Sequence, residues 1–66
     1  MSGGEQPAPI PPLRVLIVDD HPVFREGLRA VIAYAPGLEL AGEAASGEDA
    51  VQAAAERHPD VVVMDL

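Results

Sequence analysis

Three aspartates, each at the end of a short apolar segment, are the residues of this chain best suited to chemistry. Asp19 and Asp20 follow Leu13–Val18, and Asp65 follows Val61–Met64. An apolar run of four to eight residues with such an acidic end predicts a buried strand of a parallel sheet. Open α/β sheets form their sites at the carboxyl ends of such strands. The spacing therefore predicts three carboxylates at one edge of a sheet.

Carboxylates gathered at one edge repel one another and attract a hard cation. For a pair about 5 Å apart, an effective dielectric constant near 20 gives a repulsion of about 3 kcal/mol, enough to raise one pKa or to require a cation. Mg²⁺ prefers oxygen ligands and is commonly held by one or two carboxylates plus a phosphate. A carboxylate beside such an ion can also act as a nucleophile toward a phosphoryl group. From spacing alone, an ordinary turn with helix-capping acids remains the alternative.

The elements that must position these acids can be predicted from hydrophobic periodicity. Leu13–Val18 is the first strand, and Pro22 lies where the first turn of a helix tolerates proline. One helical stripe follows, ending at Pro36-Gly37; its members are Phe24, Leu28, Val31, Ile32 and Ala35. Leu38–Ala44 alternates with period two, which predicts an edge strand with Leu38, Leu40, Gly42 and Ala44 on one face.

The remaining elements complete a β-α-β-α-β order. Ser46 and Asp49 resemble a capping box, and the helix they open extends to about Arg57 with Ala50, Val51 and Ala54 on one face. The segment 61–65 is the third strand. Short connections between alternating strands and helices predict an α/β fold with a doubly wound parallel sheet.

Composition limits the partners and the location of this segment. The 66 residues carry a net charge of −7, with four arginines and no lysine, which argues against nucleic-acid contact by this segment. No apolar stretch is long enough to span a membrane, no signal peptide is visible and cysteine is absent, so a cytoplasmic location is expected. The proline-rich residues 1–12 predict a disordered leader, with one domain over 13–66.

Three segments resemble the receiver domain of bacterial response regulators. They are VLIVDDHPVFREGL at 15–28, GEAASGEDAV at 42–51 and PDVVVMDL at 59–66. His21-Pro22, followed by Arg25 and Gly27-Leu28, is similar to the NarL/FixJ-type subgroup, whose members usually carry a helix-turn-helix DNA-binding output domain.

The resemblance implies a fold, a function and residue roles. Receiver domains have flavodoxin-like (CheY-like) sheets in the order 2-1-3-4-5, of which this chain would supply 2-1-3. Asp65 matches the acceptor of a phosphoryl group from a sensor histidine kinase. Asp20 matches a direct Mg²⁺ ligand, Asp19 an acid that holds the ion largely through water, and Asp65 a further ligand. The expected function is phosphorelay signal transduction, not enzymatic catalysis, in a longer protein that regulates transcription and can form a homodimer.

The resemblance also predicts that this chain is an N-terminal fragment. The family's third metal ligand is a backbone carbonyl two residues past the phosphoacceptor, beyond Leu66. Its switch Ser/Thr, its lysine and any output domain would also lie there. The expectation is that the 66 residues alone cannot complete the site, and that their exposed third strand makes them molten or aggregated.

Two other functions remain open at this stage. One is an interaction module that binds a kinase without accepting phosphate. The other is a phosphatase-like hydrolase, disfavoured because Asp19-Asp20-His21 lacks an acid two residues after a nucleophilic Asp19. Among the other side chains, we expect His21 to be a surface or capping residue, and Arg25 and Arg29 to lie on the solvated outer face of the first helix. His58 is expected to complement a helix dipole.

Overall fold

The computed structural model describes residues 10–65, which form a three-stranded parallel sheet with a helix on each face. The elements are β1 (Leu13–Asp19), α1 (Pro22–Tyr34), β2 (Leu38–Ala44), α2 (Gly47–Arg57) and β3 (Val61–Asp65). The strand order β2-β1-β3 confirms the predicted incomplete flavodoxin-like sheet. Residues 1–9 of the predicted leader lie outside the described residues, and the domain boundary at 12/13 stays a prediction. No helix within 10–65 is long and apolar enough to cross a membrane.

The central strand β1 supplies the core on both faces of the sheet. Alternate side chains of a strand point to opposite faces, so an apolar run buries residues on each side. The cluster on the α1 side comprises Val15, Ile17 and Ile32, with Leu28 and Leu38 packed against it. The cluster on the α2 side comprises Leu16, Val18, Ala44 and Ala50, with Ala53 and Ala54 packed against it. Both helices are thereby fixed against the strand that ends at the acids.

The helix ends follow the local signals in the sequence. Pro22 lies in the first turn of α1, and Gly37 adopts a φ of 86°, the left-handed region that glycine tolerates best, just after that helix ends. The Ser46 hydroxyl accepts a hydrogen bond from the Asp49 backbone N–H at 3.2 Å, which confirms this half of the predicted capping box. α2 ends at Arg57, as predicted.

A register irregularity in β2 overturns the single alternating face predicted for that strand. Val15 is paired with Leu40 but Leu16 with Gly42, so Ala41 is an extra residue between them. One extra residue reverses the faces of everything beyond it, because side chains alternate with period two. Leu38 consequently packs on the α1 side and Ala44 on the α2 side.

The inward faces of the helices differ in part from the predicted stripes. Phe24 is 61% exposed, and its ring meets the His21 ring edge to face at a centroid distance of 5.5 Å. It lies in the first turn of α1, directly after the carboxyl end of β1, so the adjoining turn and not the sheet is its neighbour. On α2 the predicted Val51 is 74% exposed, and Ala53 packs inward with Ala50 and Ala54 in its place.

Arg14 joins three elements at the amino-terminal edge of the sheet. Its backbone N–H donates to Asp60 Oδ2 at 2.8 Å, and the Asp60 N–H donates to the Arg14 carbonyl at 2.8 Å. Its guanidinium donates to the carbonyls of Arg57 and His58, the latter at 3.1 Å, and pairs with Glu39 at 3.3 Å. The carboxyl end of α2 is therefore complemented by the Arg14 cation. The expected dipole role of the His58 side chain remains a prediction; its backbone caps α2 at a φ of 51°.

β3 is an edge strand within the part of the chain that the structure describes. It pairs with β1 from Val61 to Asp65, and its apolar side chains Val61–Met64 are 39–55% exposed. The exposed apolar edge strand that the sequence predicts is therefore present. Association of an isolated 66-residue chain through it stays a prediction.

Candidate functional site

The topology brings two of the three aspartates to neighbouring strand ends. Asp19 is the last residue of β1 and Asp65 the last residue of β3, and the two are partners in the parallel register. Neighbouring strands lie about 4.7–4.9 Å apart, so the two backbones are adjacent. Asp20 follows β1 in the turn to α1. The site is therefore built where a central strand and an edge strand end together.

The three carboxylates differ in their surroundings. The Asp19 side chain is 2% exposed, the Asp20 side chain is 57% exposed and Asp65 is exposed. Among residues 10–65, the acidic and histidine ligand atoms that cluster within 4.8 Å of one another are those of Asp19, Asp20 and His21. Asp65 faces this cluster through its register position but is not one of its members. The two oxygen donors suit a hard cation such as Mg²⁺.

His21 holds the two neighbouring acids through its backbone and its ring. The His21 N–H donates to Asp19 Oδ1 at 2.7 Å. Its Nδ1 lies 3.0 Å from that oxygen and 2.8 Å from Asp20 Oδ1. As expected of a surface or capping residue, His21 is exposed and occupies the N-cap position of α1, although its side chain makes no capping hydrogen bond. It is the turn before the helix, not the helix terminus, that the ring stabilises.

These contacts hold the pKa of the Asp19 carboxyl below its ordinary value of 3.8. The hydrogen bond from the His21 backbone is the largest cause; the His21 side chain and the positive charge of Arg25 act in the same direction, while burial opposes them. A carboxyl with a lowered pKa is ionised at neutral pH. The site therefore contains a buried anion beside an exposed one.

Arg25 and Arg29 both pair with Glu43 near the end of β2, so the expected solvated outer position is wrong for the partly buried Arg25, whereas Arg29 is exposed as expected. The Arg25 guanidinium donates to the Asp19 carbonyl at 2.7 Å, and its Nε lies 3.5 Å from Glu43 Oε1. Arg29 Nη1 lies 3.2 Å from Glu43 Oε2. The reason is helical geometry: Arg25 precedes Leu28 by three residues and Arg29 precedes Ile32 by three residues, so each lies near the sheet-facing side of α1.

Sequence reasoning missed the contacts of His21 and Arg25 with the acidic segment and the pairing of Arg25 with Glu43. The contacts of His21 depend on the conformation of one turn, and a lone histidine after two acids carries no periodic signal. The ion pairs of Arg25 and Glu43 depend on where β2 lies relative to α1. A helical projection that placed Arg25 beside Leu28 would have indicated the correct side of the helix, but not its partner.

Comparison with known proteins gives a consistent result over nearly the whole chain. A family model described as the response regulator receiver domain matches residues 15–66. The transcriptional regulatory protein LiaR of Bacillus subtilis is 46% identical over 54 residues, covering 82% of this chain and 26% of that protein. The nitrate/nitrite response regulator protein NarL of Escherichia coli is 38% identical over 55 residues, covering 83% and 26%.

The same segment is also similar to part of a protein whose name is that of an enzyme. A protein-glutamate methylesterase/protein-glutamine glutaminase of Anaeromyxobacter dehalogenans is 46% identical over 66 residues, covering 100% of this chain and 18% of that protein. The chain spans about a quarter or less of the length of these curated relatives. Proteins with such different names therefore share one segment with this chain. The family model matches this segment at 15–66, which includes β3 and its last residue, Asp65.

Proposed function

The chain belongs to the response regulator receiver domain family, and from this premise we propose that it accepts a phosphoryl group on Asp65 in phosphorelay signalling. The observation that carries the proposal is the register pairing of Asp19 with Asp65 at the carboxyl edge of the sheet. An exposed carboxylate at the end of an edge strand is accessible to a phosphoryl donor. The buried, ionised Asp19 beside it supplies the charge that makes this edge attractive to a cation.

The proposed step is a transfer between two nucleophiles. A carboxylate oxygen of Asp65 attacks the phosphorus of a phosphohistidine on a sensor histidine kinase. The phosphorus–oxygen bond forms, the phosphorus–nitrogen bond breaks, and the departing imidazole takes up a proton from water. The product is an acyl phosphate on Asp65.

The donor set at the site fits Mg²⁺. We propose carboxylate oxygens as its ligands: Asp20 from the clustered acids and Asp65 from the neighbouring strand end directly, with Asp19 holding the ion largely through water. When bound, such an ion neutralises charge on the transferring phosphoryl oxygens. His21 and Arg25 keep the two acids of the turn in place through the contacts described above.

The larger setting of this step is part of the proposal. The family match and the two relatives named as regulators support a sensor histidine kinase as partner and an output domain that regulates transcription. We propose that these belong to a longer, cytoplasmic protein. The receiver segment itself is proposed to be a phosphoryl acceptor and not an enzyme. Phosphorylation would shift a two-state receiver toward a form that releases or pairs its output domain.

A labelling experiment on the full-length natural protein tests the proposal. Incubation with a small-molecule phosphoryl donor and Mg²⁺ should produce a hydroxylamine-sensitive label, as expected of an acyl phosphate. Asp65→Asn should abolish that label, whereas the matched change Asp49→Asn, at an exposed position on α2, should leave it unchanged. Label that persists in Asp65→Asn would refute the assignment of the acceptor.

The same proteins distinguish the interaction-module alternative. That function predicts an unlabelled wild-type protein that still binds its histidine kinase, with binding unaffected by Asp65→Asn. Loss of labelling with retained kinase binding in the variant, starting from a labelled wild type, supports the phosphoryl acceptor instead.

A further inference from the structure

The Arg25 side chain connects α1, β1 and β2 next to the turn that carries Asp20. It extends from the first turn of α1, donates to the Asp19 carbonyl at the end of β1 and pairs with Glu43 near the end of β2. Its side chain is 23% exposed and that of Glu43 is 25% exposed, so solvent screens the pair only in part. Arg29 pairs with the other oxygen of Glu43 at 3.2 Å and is 48% exposed.

We propose that Arg25 is a positioning residue for the cation site, acting through the Asp19 carbonyl to fix the turn that carries Asp20. This inference rests on the proposed function, because it concerns the same Mg²⁺ site. The Asp19 carbonyl belongs to the planar peptide that joins Asp19 to Asp20. A donor fixed on that oxygen limits rotation of the peptide, and therefore limits the directions available to the Asp20 side chain.

The planar guanidinium is suited to this task because it can serve two acceptors at once. One terminal nitrogen holds the Asp19 carbonyl while Nε faces Glu43. Glu43 is in turn held by Arg29, so the orientation of the Arg25 side chain is fixed from the β2 side. A lysine at position 25 would keep the charge but lose the planar arrangement of donors that contacts both acceptors.

The orienting contact of Arg25 and its positive charge should change the affinity for Mg²⁺ in opposite directions, which makes the proposed role testable. The positive charge of Arg25 repels a cation, so charge alone predicts that its removal tightens Mg²⁺ binding by about twofold. Loss of a group that orients a ligand lowers metal affinity, commonly by about 10-fold to 100-fold. The sign of the change therefore separates the two effects.

The experiment is calorimetric titration of the full-length natural protein with MgCl₂, comparing wild type with Arg25→Gln, Arg25→Lys and Arg29→Gln. Arg29→Gln is the matched control: it removes the same charge from the same helix and the same Glu43 partner, but does not touch Asp19. Arg25→Gln should raise the Kd for Mg²⁺ about tenfold, Arg25→Lys should raise it less, and Arg29→Gln should change it by no more than about twofold.

Each outcome bears on the inference. An Arg25→Gln protein that binds Mg²⁺ as tightly as wild type or more tightly overturns it, as does equal weakening by Arg29→Gln. If thermal melting shows that Arg25→Gln is unfolded, Arg25→Lys decides, with an unchanged Kd counting against the role. A wild-type protein that binds no Mg²⁺ contradicts the proposed cation site and this inference together, whereas normal wild-type binding with unaffected variants contradicts this inference alone.

Discussion

The two edges of the sheet both gather charged side chains around β1, but their charges are balanced differently. At the amino-terminal edge, Arg14 is surrounded by Glu39, by Asp60 and by two carbonyls at the end of α2. At the carboxyl edge, Asp19 and Asp20 cluster with His21, and Asp65 lies beside Asp19 in the strand register, while the Arg25 guanidinium donates to the Asp19 carbonyl and pairs with Glu43.

The difference separates a structural cluster from a candidate site. Polar groups that satisfy one another stabilise the fold and leave nothing for a ligand. Carboxylates that outnumber the cations around them repel one another and destabilise the fold unless a ligand supplies positive charge. Such destabilisation is common at functional sites. The amino-terminal edge therefore holds α2 and β3 to β1, and the carboxyl edge is the one that we propose receives an ion and a phosphoryl group.

The largest expected contrast comes from truncating one aspartate at each edge. Asp65→Ala should abolish the phosphoryl label while leaving the free energy of unfolding nearly unchanged, because its side chain is exposed beside another acid. Asp60→Ala should retain the label per folded molecule but lower the free energy of unfolding by about 1–2 kcal/mol, since it leaves the Arg14 N–H without its acceptor. Urea denaturation and labelling of the two proteins check this. Equal loss of stability in both would remove the distinction between the edges.

The next effect concerns cation affinity at the carboxyl edge. Asp20→Asn should raise the Kd for Mg²⁺ about tenfold or more, because a proposed direct ligand loses its charge. In chelator-treated protein the same change should leave the melting temperature unchanged or higher, because one of two adjacent anions is gone. Calorimetric titration and thermal melting measure the two quantities. A lower melting temperature with unchanged Mg²⁺ affinity would mean that Asp20 is structural.

A smaller effect is expected from the cation at the opposite edge. Arg14→Gln should lower the free energy of unfolding by about 0.5–1.5 kcal/mol, because the partly exposed guanidinium holds two carbonyls and a carboxylate. Arg29→Gln, which removes one partly exposed ion pair, should cost no more than about 1 kcal/mol. Denaturation of the two variants gives the comparison, and Mg²⁺ affinity should be unaffected by Arg14→Gln.

The smallest effect is a pH dependence that belongs to Asp19. Because the folded-state pKa of this carboxyl is lowered from 3.8, its contribution to stability is present above that value and is lost as the pH falls through the lower, folded-state pKa. The free energy of unfolding of chelator-treated protein should therefore decrease on acidification, and Asp19→Asn should flatten part of that decrease. Urea denaturation from about pH 5 downward measures it. Identical slopes in the two proteins would contradict this assignment to Asp19.

The sequence by itself determined the elements and the edge at which the acids meet. Apolar runs, Pro22, Pro36-Gly37 and the Ser46–Asp49 cap are local signals, and the strands and helices start and end within about two residues of the predicted positions. Since parallel strands end at one edge, the adjacency of Asp19 and Asp65 followed from the element order and the resemblance-based strand order. These features depend on neighbours along the chain or on general rules of sheet topology.

Only the tertiary structure decided which side chains surround the acids. The extra residue Ala41 in β2, the inward position of Arg25 beside Glu43, and the reach of Arg14 to the end of α2 each join segments far apart in sequence. His21 is near in sequence, yet its contacts depend on the folded turn. Such contacts follow from how helices pack on a twisted sheet, where small changes in register or rotation exchange one partner for another. Periodicity can assign a residue to a face, but it cannot name the atom that the residue meets there.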